Sequence, residues 1–292
     1  MPLLLRPLSL ADLDGAFALS STAGWNQRID DWRMLLELAP SGGFAAVLDD
    51  EIVATAIGID YGSFGWIAMM LVQPALRGQG IGRRLLEAAM AAIPAGLPIR
   101  LDATPMGRPL YESCGFREEA ALTRYLSDPV TRRIPDLPGG GAPGTVRAMT
   151  REQLERILGE DTAVFRGGRG PVLTWALDTG APFCQVVEED AGIGGYCFGR
   201  TGRLCAQVGP VVAASAEAAT ALAAAALAQA RGMPVFVDAF DAGTNFTRWL
   251  HACGFEAQRP LYRMCRMPDG ARPLPQAPTR LIEWSIFGPE FA

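Results

Sequence analysis

The sequence repeats itself once along its 292 residues. An alignment of the chain on itself pairs Val72 with Val208 and Asp102 with Asp238. After a short insertion, Cys114-Gly115-Phe116 pairs with Cys253-Gly254-Phe255, and Arg124 with Arg263. Repetition at this scale predicts two copies of one structural unit. The chain is long enough for each copy to bury a core of its own.

The first copy contains an apolar strand, a glycine-rich turn and the start of a helix. The strand is Ile67 to Val72, and the turn reads Arg77-Gly78-Gln79-Gly80-Ile81-Gly82 after Pro74. Apolar residues recur with helical spacing from Ile81 onward, so the glycines stand at the N-terminus of a helix. The first amides of a helix have no partner within it and carry a partial positive charge. The turn therefore predicts a phosphate-binding site.

Three kinds of phosphate ligand compete for this turn. A nucleotide-hydrolase loop needs Lys-Ser or Lys-Thr after its last glycine, but Arg83-Arg84 follows here. A dinucleotide fingerprint would use Asp102 as its acidic residue, yet it requires glycine where Arg83 stands, and it remains a weak alternative. The third spacing, Arg-x-x-Gly-x-Gly after Leu-Val-x-Pro, resembles the acyl-CoA pyrophosphate loop of the GNAT superfamily of N-acyltransferases. Downstream, Tyr111-x-x-x-Gly115-Phe116 resembles the end of that superfamily's closing helix.

This resemblance implies the fold and the chemistry of the first copy. The fold class is α/β (α+β), with each copy a mixed, mostly antiparallel twisted sheet flanked by helices. The resemblance implies acetyl-CoA as co-substrate, no metal, and direct attack of an amine on the thioester. Backbone amides near a strand bulge would hold the thioester carbonyl, loop amides would hold the diphosphate, and Tyr111 would supply a proton to the leaving thiolate. The implied coenzyme-binding residues are Met70, Leu71, Val72, Arg77, Gly78, Gln79, Gly80, Ile81 and Gly82.

The acceptor side is less clearly marked in the sequence. Gly24-Trp25-Asn26 interrupts a helical pattern and resembles the lid between the family's first two helices, so Trp25 and Asn26 are expected to bind the acceptor amine. An aromatic face beside an amide suits an ammonium group. A base is also expected, because an amine with a pKa of about 10 is protonated at pH 7. Asp60 and Tyr61 are the candidates, with solvated turn residues as the alternative reading.

The second copy differs from the first at the residues that carry chemistry. In the ungapped alignment Arg77 pairs with Ala213, Gly80 with Ala216 and Gly82 with Ala218, while Tyr111 pairs with Leu250. We therefore expect one acyl-CoA per chain, bound by a domain at residues 1–128. A proline- and glycine-rich linker at 129–144 precedes a degenerate domain at 145–292. A final strand at 281–287, or its exchange between the copies, is expected to complete a sheet.

Composition limits the partners of this chain. A formal charge of −5 and the lack of a Lys/Arg cluster argue against a nucleic-acid partner. The N-terminus carries Arg6, Asp12 and Asp14, which fits neither a secretory signal nor a membrane span. The six cysteines show no metal-binding spacing, so they indicate buried thiols in a reducing, cytoplasmic compartment. The oligomeric state is expected to be a monomer or a homodimer.

Three functions remain open from the sequence. The first is an acetyl-CoA-dependent N-acetyltransferase for a small-molecule amine. The second is a non-catalytic module that senses acyl-CoA, and the third, more distant, is a dinucleotide-binding oxidoreductase.

Overall fold

The computed structural model describes residues 3–129, 132–135, 144–190, 192–270, 274 and 278–292. Of the predicted linker, residues 130, 131 and 136–143 lie outside this range. Residues 268–278, before the predicted final strand, are also rich in proline, and of these residues 271–273 and 275–277 lie outside the described range.

The two halves contain the same succession of strands and helices. The first half contains β1 (Leu4–Pro7), α1 (Leu13–Thr22), α2 (Ile29–Leu38), β2 (Gly43–Leu48), β3 (Glu51–Asp60), β4 (Gly65–Val72), α3 (Ile81–Ala91), β5 (Ile99–Ala103), α4 (Arg108–Ser113) and β6 (Arg117–Ser127). The second contains β7 (Thr145–Ala148), α5 (Arg151–Phe165), α6 (Gly170–Gly180), β8 (Gln185–Glu189), β9 (Gly192–Thr201), β10 (Ala206–Ala213), α7 (Ala216–Gln229), β11 (Val235–Phe240), α8 (Thr244–Ala252), β12 (Phe255–Arg266) and β13 (Ile282–Ile286). The repeat predicted from the sequence is confirmed.

The copies share one sheet and exchange a strand. Within the described residues the sheet has 13 strands in the order β1-β2-β3-β4-β5-β12-β6-β11-β13-β10-β9-β8-β7. The second copy's β12 lies between β5 and β6 of the first, and β6 lies between β12 and β11. Adjacent pairs are mostly antiparallel, as the fold class requires. Each copy therefore completes its sheet with a strand of the other.

Two equivalent ion pairs hold the exchanged strands in register. Arg263 of β12 stands opposite Asp102 of β5 and donates to both carboxylate oxygens, at 2.9 Å each. Arg124 of β6 stands opposite Asp238 of β11 and does the same at 2.7 Å. All four residues are buried or nearly so. These are the repeat positions that the sequence alignment pairs, and the contacts explain why both copies keep them.

β13 separates two strands of the second copy. β10 and β11 pair in parallel only at Ala206 and Gln207, and beyond that point β13 runs antiparallel to both of them. The expectation that the final strand completes a sheet is confirmed. No described strand of the first copy fills the corresponding space between β4 and β5.

Helices cover both faces of the sheet. One face packs α1 and α2 of the first copy together with α5 and α6 of the second in a common apolar core, which also contains Trp66, Phe287 and Phe291. On the other face, α3 covers the first copy's strands and α7 covers the second copy's. None of the helices described here has the length and apolar character that a bilayer crossing needs.

Candidate active site

A cleft opens between β4 and β5 of the first copy. The two strands pair in parallel only at Gly65 with Ile99 and at Trp66 with Arg100, where Gly65 N donates to Pro98 O at 2.8 Å. β4 then continues to Val72 beside β3 alone. The free edge of β4 from Ile67 onward therefore lines a V-shaped gap whose vertex is at Trp66.

A bulge in β4 directs backbone amides into this gap. Met69 has a φ of +51°, which is unusual for a residue with a side chain, and its carbonyl accepts a 2.8 Å hydrogen bond from the buried Thr55 hydroxyl. Past the bulge, Gln73 N donates to Val53 O on β3. Because N–H groups alternate sides along an antiparallel strand, Leu71 faces β3, whereas Met70 and Val72 face the cleft. Two of the three strand residues named from the sequence, Met70 and Val72, thus have amides that face the cleft, and their binding of a thioester carbonyl stays a prediction.

The second copy shows what such an amide binds. Counted from the start of the parallel pairing at Gly65 and at Ala206, Met70 corresponds to Val211. Val211 N donates to the Ser285 hydroxyl of β13 at 3.2 Å. An oxygen atom inside the second cleft therefore occupies the place that Met70 N leaves available in the first.

The glycine-rich turn forms a row of unpartnered amides next to the cleft. After a single 3-10 turn at Pro74–Leu76, Gly78 and Gly80 adopt φ values of +77° and +78°, and Gly80 precedes α3 without a side-chain cap. The described residues offer no acceptor for the N–H groups from Gly78 to Arg83. No atom lies within 4 Å of a Cβ built on Gly78 or Gly80, so their backbone faces open space. A diphosphate fits this row.

Charged side chains frame the turn. Arg77 Nε donates to Val72 O at 3.1 Å, and its Nη1 lies 3.3 Å from the Met106 sulfur. Arg83 donates to the Ser113 hydroxyl at 2.7 Å, which ties the first turn of α3 to α4. Ile81 is buried in the core, so only its backbone amide can face a ligand. The amides of Gln79 and Gly82, on either side along the turn, are likewise without an acceptor among the described residues. Arg77 braces the turn against the end of β4.

The second copy has lost this turn by deletion. β10 ends at Ala213, and Ser215 already caps α7, with its hydroxyl accepting from Ala218 N at 3.2 Å. The ungapped pairing of Arg77 with Ala213 and of Val72 with Val208 is therefore wrong, because Ala213 corresponds to Val72 at the strand end. The connection from β10 to α7 consists of Ala214 and Ser215, so no glycine-rich turn precedes α7, and Ser215 caps the end of that helix. That the second copy binds no acyl-CoA stays a prediction.

Tyr111 stands on α4 beneath the turn. Its side chain is only 8% exposed and packs edge-on against Phe116, with ring centroids 6.0 Å apart. Burial, with a smaller contribution from nearby Cys114, raises the pKa of Tyr111 above its usual value. The described residues provide no hydrogen-bond partner for its hydroxyl. Leu250 takes its place on α8, where no proton donor is possible.

The predicted acceptor lid is attached to the second copy. The Asn26 amide donates to Cys205 O at 3.1 Å and accepts from Leu204 N and Cys205 N at 2.9 and 3.0 Å. Arg203 also donates to Trp25 O at 3.1 Å. Asn26 is buried and fully bonded, so this conformation gives it a structural role, and its contact with an acceptor stays a prediction. The Trp25 ring is half-buried against the core shared by the copies.

The two candidate bases have structural partners. Tyr61 is buried, and its hydroxyl donates to Phe291 O at 2.8 Å. Burial raises the pKa of Tyr61 above its usual value, so the phenolate that could accept a proton is scarcely present at neutral pH. Asp60 accepts from Gly62 N at 2.7 Å in the turn between β3 and β4. Neither arrangement indicates a base.

The sequence analysis missed the buried charges between the copies. Arg169 binds Asp161 at 2.8 Å and Glu283 at 2.9 Å, while Glu283 also lies 3.8 Å from Arg263, which holds Asp102. A second group joins Arg200 to Asp31, at 2.7 Å, and to Glu290. Burial raises the pKa of Asp31 to about 6, partly offset by Arg200. In the sequence, only the repeat equivalence of Asp102 with Asp238 pointed to a buried ion pair.

Asp102 is also the residue that a dinucleotide fingerprint would have used. Its carboxylate is fully buried, and its two oxygens accept hydrogen bonds from Nε and Nη2 of Arg263. It has no oxygen free for a ribose.

The described residues contain no cluster of His, Cys, Asp and Glu that could hold a metal, and the six cysteines are free thiols, five of them buried.

Comparison with known proteins gives two family matches. Two models, each described as an acetyltransferase (GNAT) domain, match residues 40–118 and residues 158–282. Together they cover well over half of the chain, one in each copy.

Individual relatives are distant but extend over most of the chain. An uncharacterized N-acetyltransferase, YitH, of Bacillus subtilis is 22% identical over 83% of this chain and 84% of its own length. A holothin acyltransferase of a Pseudoalteromonas species is 23% identical over 89% of this chain and 87% of its own. The crystal structure of a putative acetyltransferase from Pyrococcus horikoshii has a TM-score of 0.73 at 20% identity, covering 99% of this chain and 95% of that one. This last likeness concerns the fold alone.

Proposed function

Because the chain belongs to the GNAT family of acyl-CoA-dependent N-acyltransferases, with two tandem copies of its fold, we propose that it transfers an acetyl group from acetyl-CoA to the primary amine of a small molecule. The reaction takes place in the first copy, by direct attack of the amine. The observation that supports this most is the row of unpartnered amides from Gly78 to Arg83 beside an open cleft. The second copy has neither feature.

The diphosphate binds at the turn. Amides from Gly78 to Gly82 donate to its oxygens, and the N-terminal end of α3 adds a favourable dipole. Gly78 and Gly80 hold φ values that residues with side chains rarely adopt, so the backbone reaches the ligand without an intervening Cβ. Arg77 keeps the turn next to Val72 and places a positive charge within reach of a phosphate.

The thioester carbonyl binds at the bulge. Met70 N faces the cleft, and its counterpart Val211 N already holds the Ser285 oxygen in the second copy. A donor fixed in this way stabilises the negative charge that develops on the carbonyl oxygen as the amine attacks. Thr55 fixes the bulge by its bond to Met69 O.

Tyr111 serves the leaving thiolate. The hydroxyl is protonated at neutral pH and donates to the sulfur, and because burial raises its pKa it does so as a weaker acid than a free tyrosine. The edge-on contact with Phe116 holds the ring in place on α4.

The test compares Gly80→Val with Ala216→Val, the matched position at the start of α7. A side chain at Gly80 strains a positive φ and blocks the phosphate, so we expect acetyl-CoA affinity to fall at least about 30-fold, near 2 kcal/mol. Ala216→Val should leave the affinity unchanged. Titration calorimetry measures both.

Thiol release with a panel of primary amines completes the assay. Release with at least one amine supports the proposed reaction, whereas tight binding without release from any amine would identify an acyl-CoA sensor instead. Unchanged affinity in Gly80→Val would place the coenzyme elsewhere.

A further inference from the structure

The loop between α1 and α2 of the first copy is held by a turn of the second. Residues 23–28 form this loop, called the lid loop below, and residues 202–205 form the turn between β9 and β10, called the clamp turn below. In addition to the bonds of the Asn26 amide group, Arg203 N donates to Asn26 O at 2.8 Å, and the Arg203 guanidinium donates to Trp25 O. Main chain and side chains together therefore fix the lid loop against the second copy.

The contact depends on a glycine of the clamp turn. A Cβ built on Gly202 would lie 2.5 Å from both Cγ and Oδ1 of Asn26, which is too close for any real contact. Asn26 is only 6% exposed and bonds to the backbone of Leu204 and Cys205, so its amide has no second position inside this contact. One methyl group at position 202 would therefore displace Asn26.

The clamp turn lies at the end of the shared sheet where the first cleft opens. β12 runs antiparallel to β5 and β6, and β6 runs antiparallel to β11, so the second copy points the opposite way. The parallel pair Ala206 with Val235, at the vertex of the second cleft, therefore lies beyond the C-terminal end of β5. The clamp turn directly precedes Ala206.

The lid loop reaches the same end from the first copy. α2 is about 15 Å long and leads from the lid loop back to β2, whose first residue, Gly43, pairs with Ile57 near the vertex of the first cleft. α1 and α2 cover the face of the sheet opposite α3, and Trp25 packs on the core beneath them. The phosphate-binding turn leads into α3, so in the proposed function the coenzyme enters from that face. The amine then approaches the thioester from the side of the lid loop.

The first copy holds the α5–α6 loop of the second in an equivalent contact. Gly168 N donates to Tyr61 O at 2.9 Å, and the Ser63 hydroxyl donates to Arg166 O, both at the turn between β3 and β4. This second contact stands beside a gap that β13 already fills. Of the two equivalent contacts, the one at Asn26 therefore belongs to the open cleft.

We propose that the clamp turn of the second copy fixes the lid loop beside the path of the amine to the first cleft, and that Asn26 is the positioning residue of this contact. The inference rests on the proposed function and gives the second copy a task in it. A fixed lid loop presents one shape to the amine, whereas a released one spreads over several. Only a fraction of the molecules then has the binding-competent shape, and the apparent affinity for the amine falls by that fraction.

The experiment compares Gly202→Ala with Gly167→Ala. The first displaces Asn26 and releases the lid loop. The second disturbs the equivalent contact, because a Cβ on Gly167 would lie 2.8 Å from Phe64 Cε1 and 3.1 Å from Tyr61 O. Steady-state kinetics with the primary amine that the wild type acetylates best give kcat and the KM for that amine, and titration calorimetry gives the affinity for acetyl-CoA.

Gly202→Ala should raise the KM for the amine at least about 10-fold, with kcat at saturating amine changed less than about 2-fold and acetyl-CoA affinity unchanged. Gly167→Ala should change none of the three. An unchanged KM in Gly202→Ala, or an equal rise in Gly167→Ala, would overturn the inference while the proposed function stands. A wild type that acetylates no amine would instead end both. If Gly202→Ala fails to fold, Arg203→Ala removes only an exposed guanidinium from the contact and should raise the same KM about 2- to 3-fold, and no rise would count against the clamp.

A double-variant cycle separates positioning from direct binding. Asn26→Ala and Gly202→Ala remove the same contact, so the KM of the double variant should match that of either single one. Additive increases in KM would show that Asn26 contacts the amine itself and would refute its positioning role.

Discussion

The clefts of the two copies differ in what lies between their strands. In the first, β4 and β5 separate and leave Met70 N facing an open gap. In the second, β13 lies between β10 and β11, and the Ser285 hydroxyl accepts a hydrogen bond from Val211 N. The parallel pairings at the two vertices are the same. The difference teaches that both copies keep the same strand arrangement around the gap, and that in the second copy a strand of its own chain fills the space that is open in the first.

Residues that the copies share belong to the frame, and residues that differ belong to the site. Asp102 with Arg263 and Asp238 with Arg124 form the same buried contact twice. Thr55, which holds the bulge, corresponds to Tyr196, whose hydroxyl instead bonds to Asp161 at 2.7 Å. Tyr111 corresponds to Leu250. The repeat can therefore be used to separate structural from chemical roles.

The largest expected effect tests the shared frame. Arg263→Met and Arg124→Met each leave a buried aspartate without its partner, and each should lower the free energy of unfolding by about 3–5 kcal/mol. Denaturant titration measures the loss. Adding Asp102→Leu to Arg263→Met removes the stranded charge and should recover much of it. If the two ion pairs have equivalent roles, Arg263→Met and Arg124→Met should lower the free energy of unfolding by similar amounts. A loss of stability in only one of the two variants would contradict this equivalence.

Tyr111→Phe tests the chemical difference. The ring and its packing on Phe116 remain, so acetyl-CoA affinity and stability should persist, whereas kcat should fall about 100-fold with the loss of the proton donor. Leu250→Phe in the second copy is the control and should leave kcat unchanged. Since burial raises the pKa of Tyr111, the protonated form persists as pH rises, and the rate should show no alkaline decline below pH 10 from this group. A decline there that disappears in Tyr111→Phe would contradict its burial.

The smallest effect compares two hydroxyl groups, one in each cleft. Thr55→Val leaves Met69 O without its donor, and Ser285→Ala leaves Val211 N without its acceptor, so each should lower stability by about 1–3 kcal/mol. Only Thr55→Val should also reduce kcat, by several-fold at constant acetyl-CoA affinity, because the proposed function assigns the thioester to the first bulge alone. Thermal unfolding and steady-state kinetics measure both. Equal loss of kcat in Ser285→Ala would refute the separation of the clefts.

Features fixed by neighbouring residues could be predicted from the sequence. The strand, the turn and the helix around Gly78 and Gly80 depend on local conformation, and the structure has all three. The start of α5 is equally local, because Thr150 and Gln153 each bond to the other's backbone amide. The presence of two copies followed from the repeat alone.

Features fixed by distant residues could not be predicted. A strand pattern does not state which neighbour the strand pairs with, so the exchange of β6 and β12 left no sign in the sequence. The side chain of Asn26 has the same chemistry whether it meets an amine or the backbone of Leu204 and Cys205. The deletion before Ser215 was hidden because the surrounding helix and strand aligned without a gap. The site residues themselves remain predictions until a ligand is bound.

The exchange of β6 and β12 also sets the order in which the protein can mature on the ribosome. β5 forms the far side of the first cleft, but its outer neighbour is β12, at residues 255–266, which is translated long after β5 itself. Until β12 emerges, the nascent first copy exposes the hydrogen-bonding edges of β5 and β6. The first copy's sheet is therefore complete only after the second copy has been translated through β12, and a chain truncated before that point would tend to aggregate.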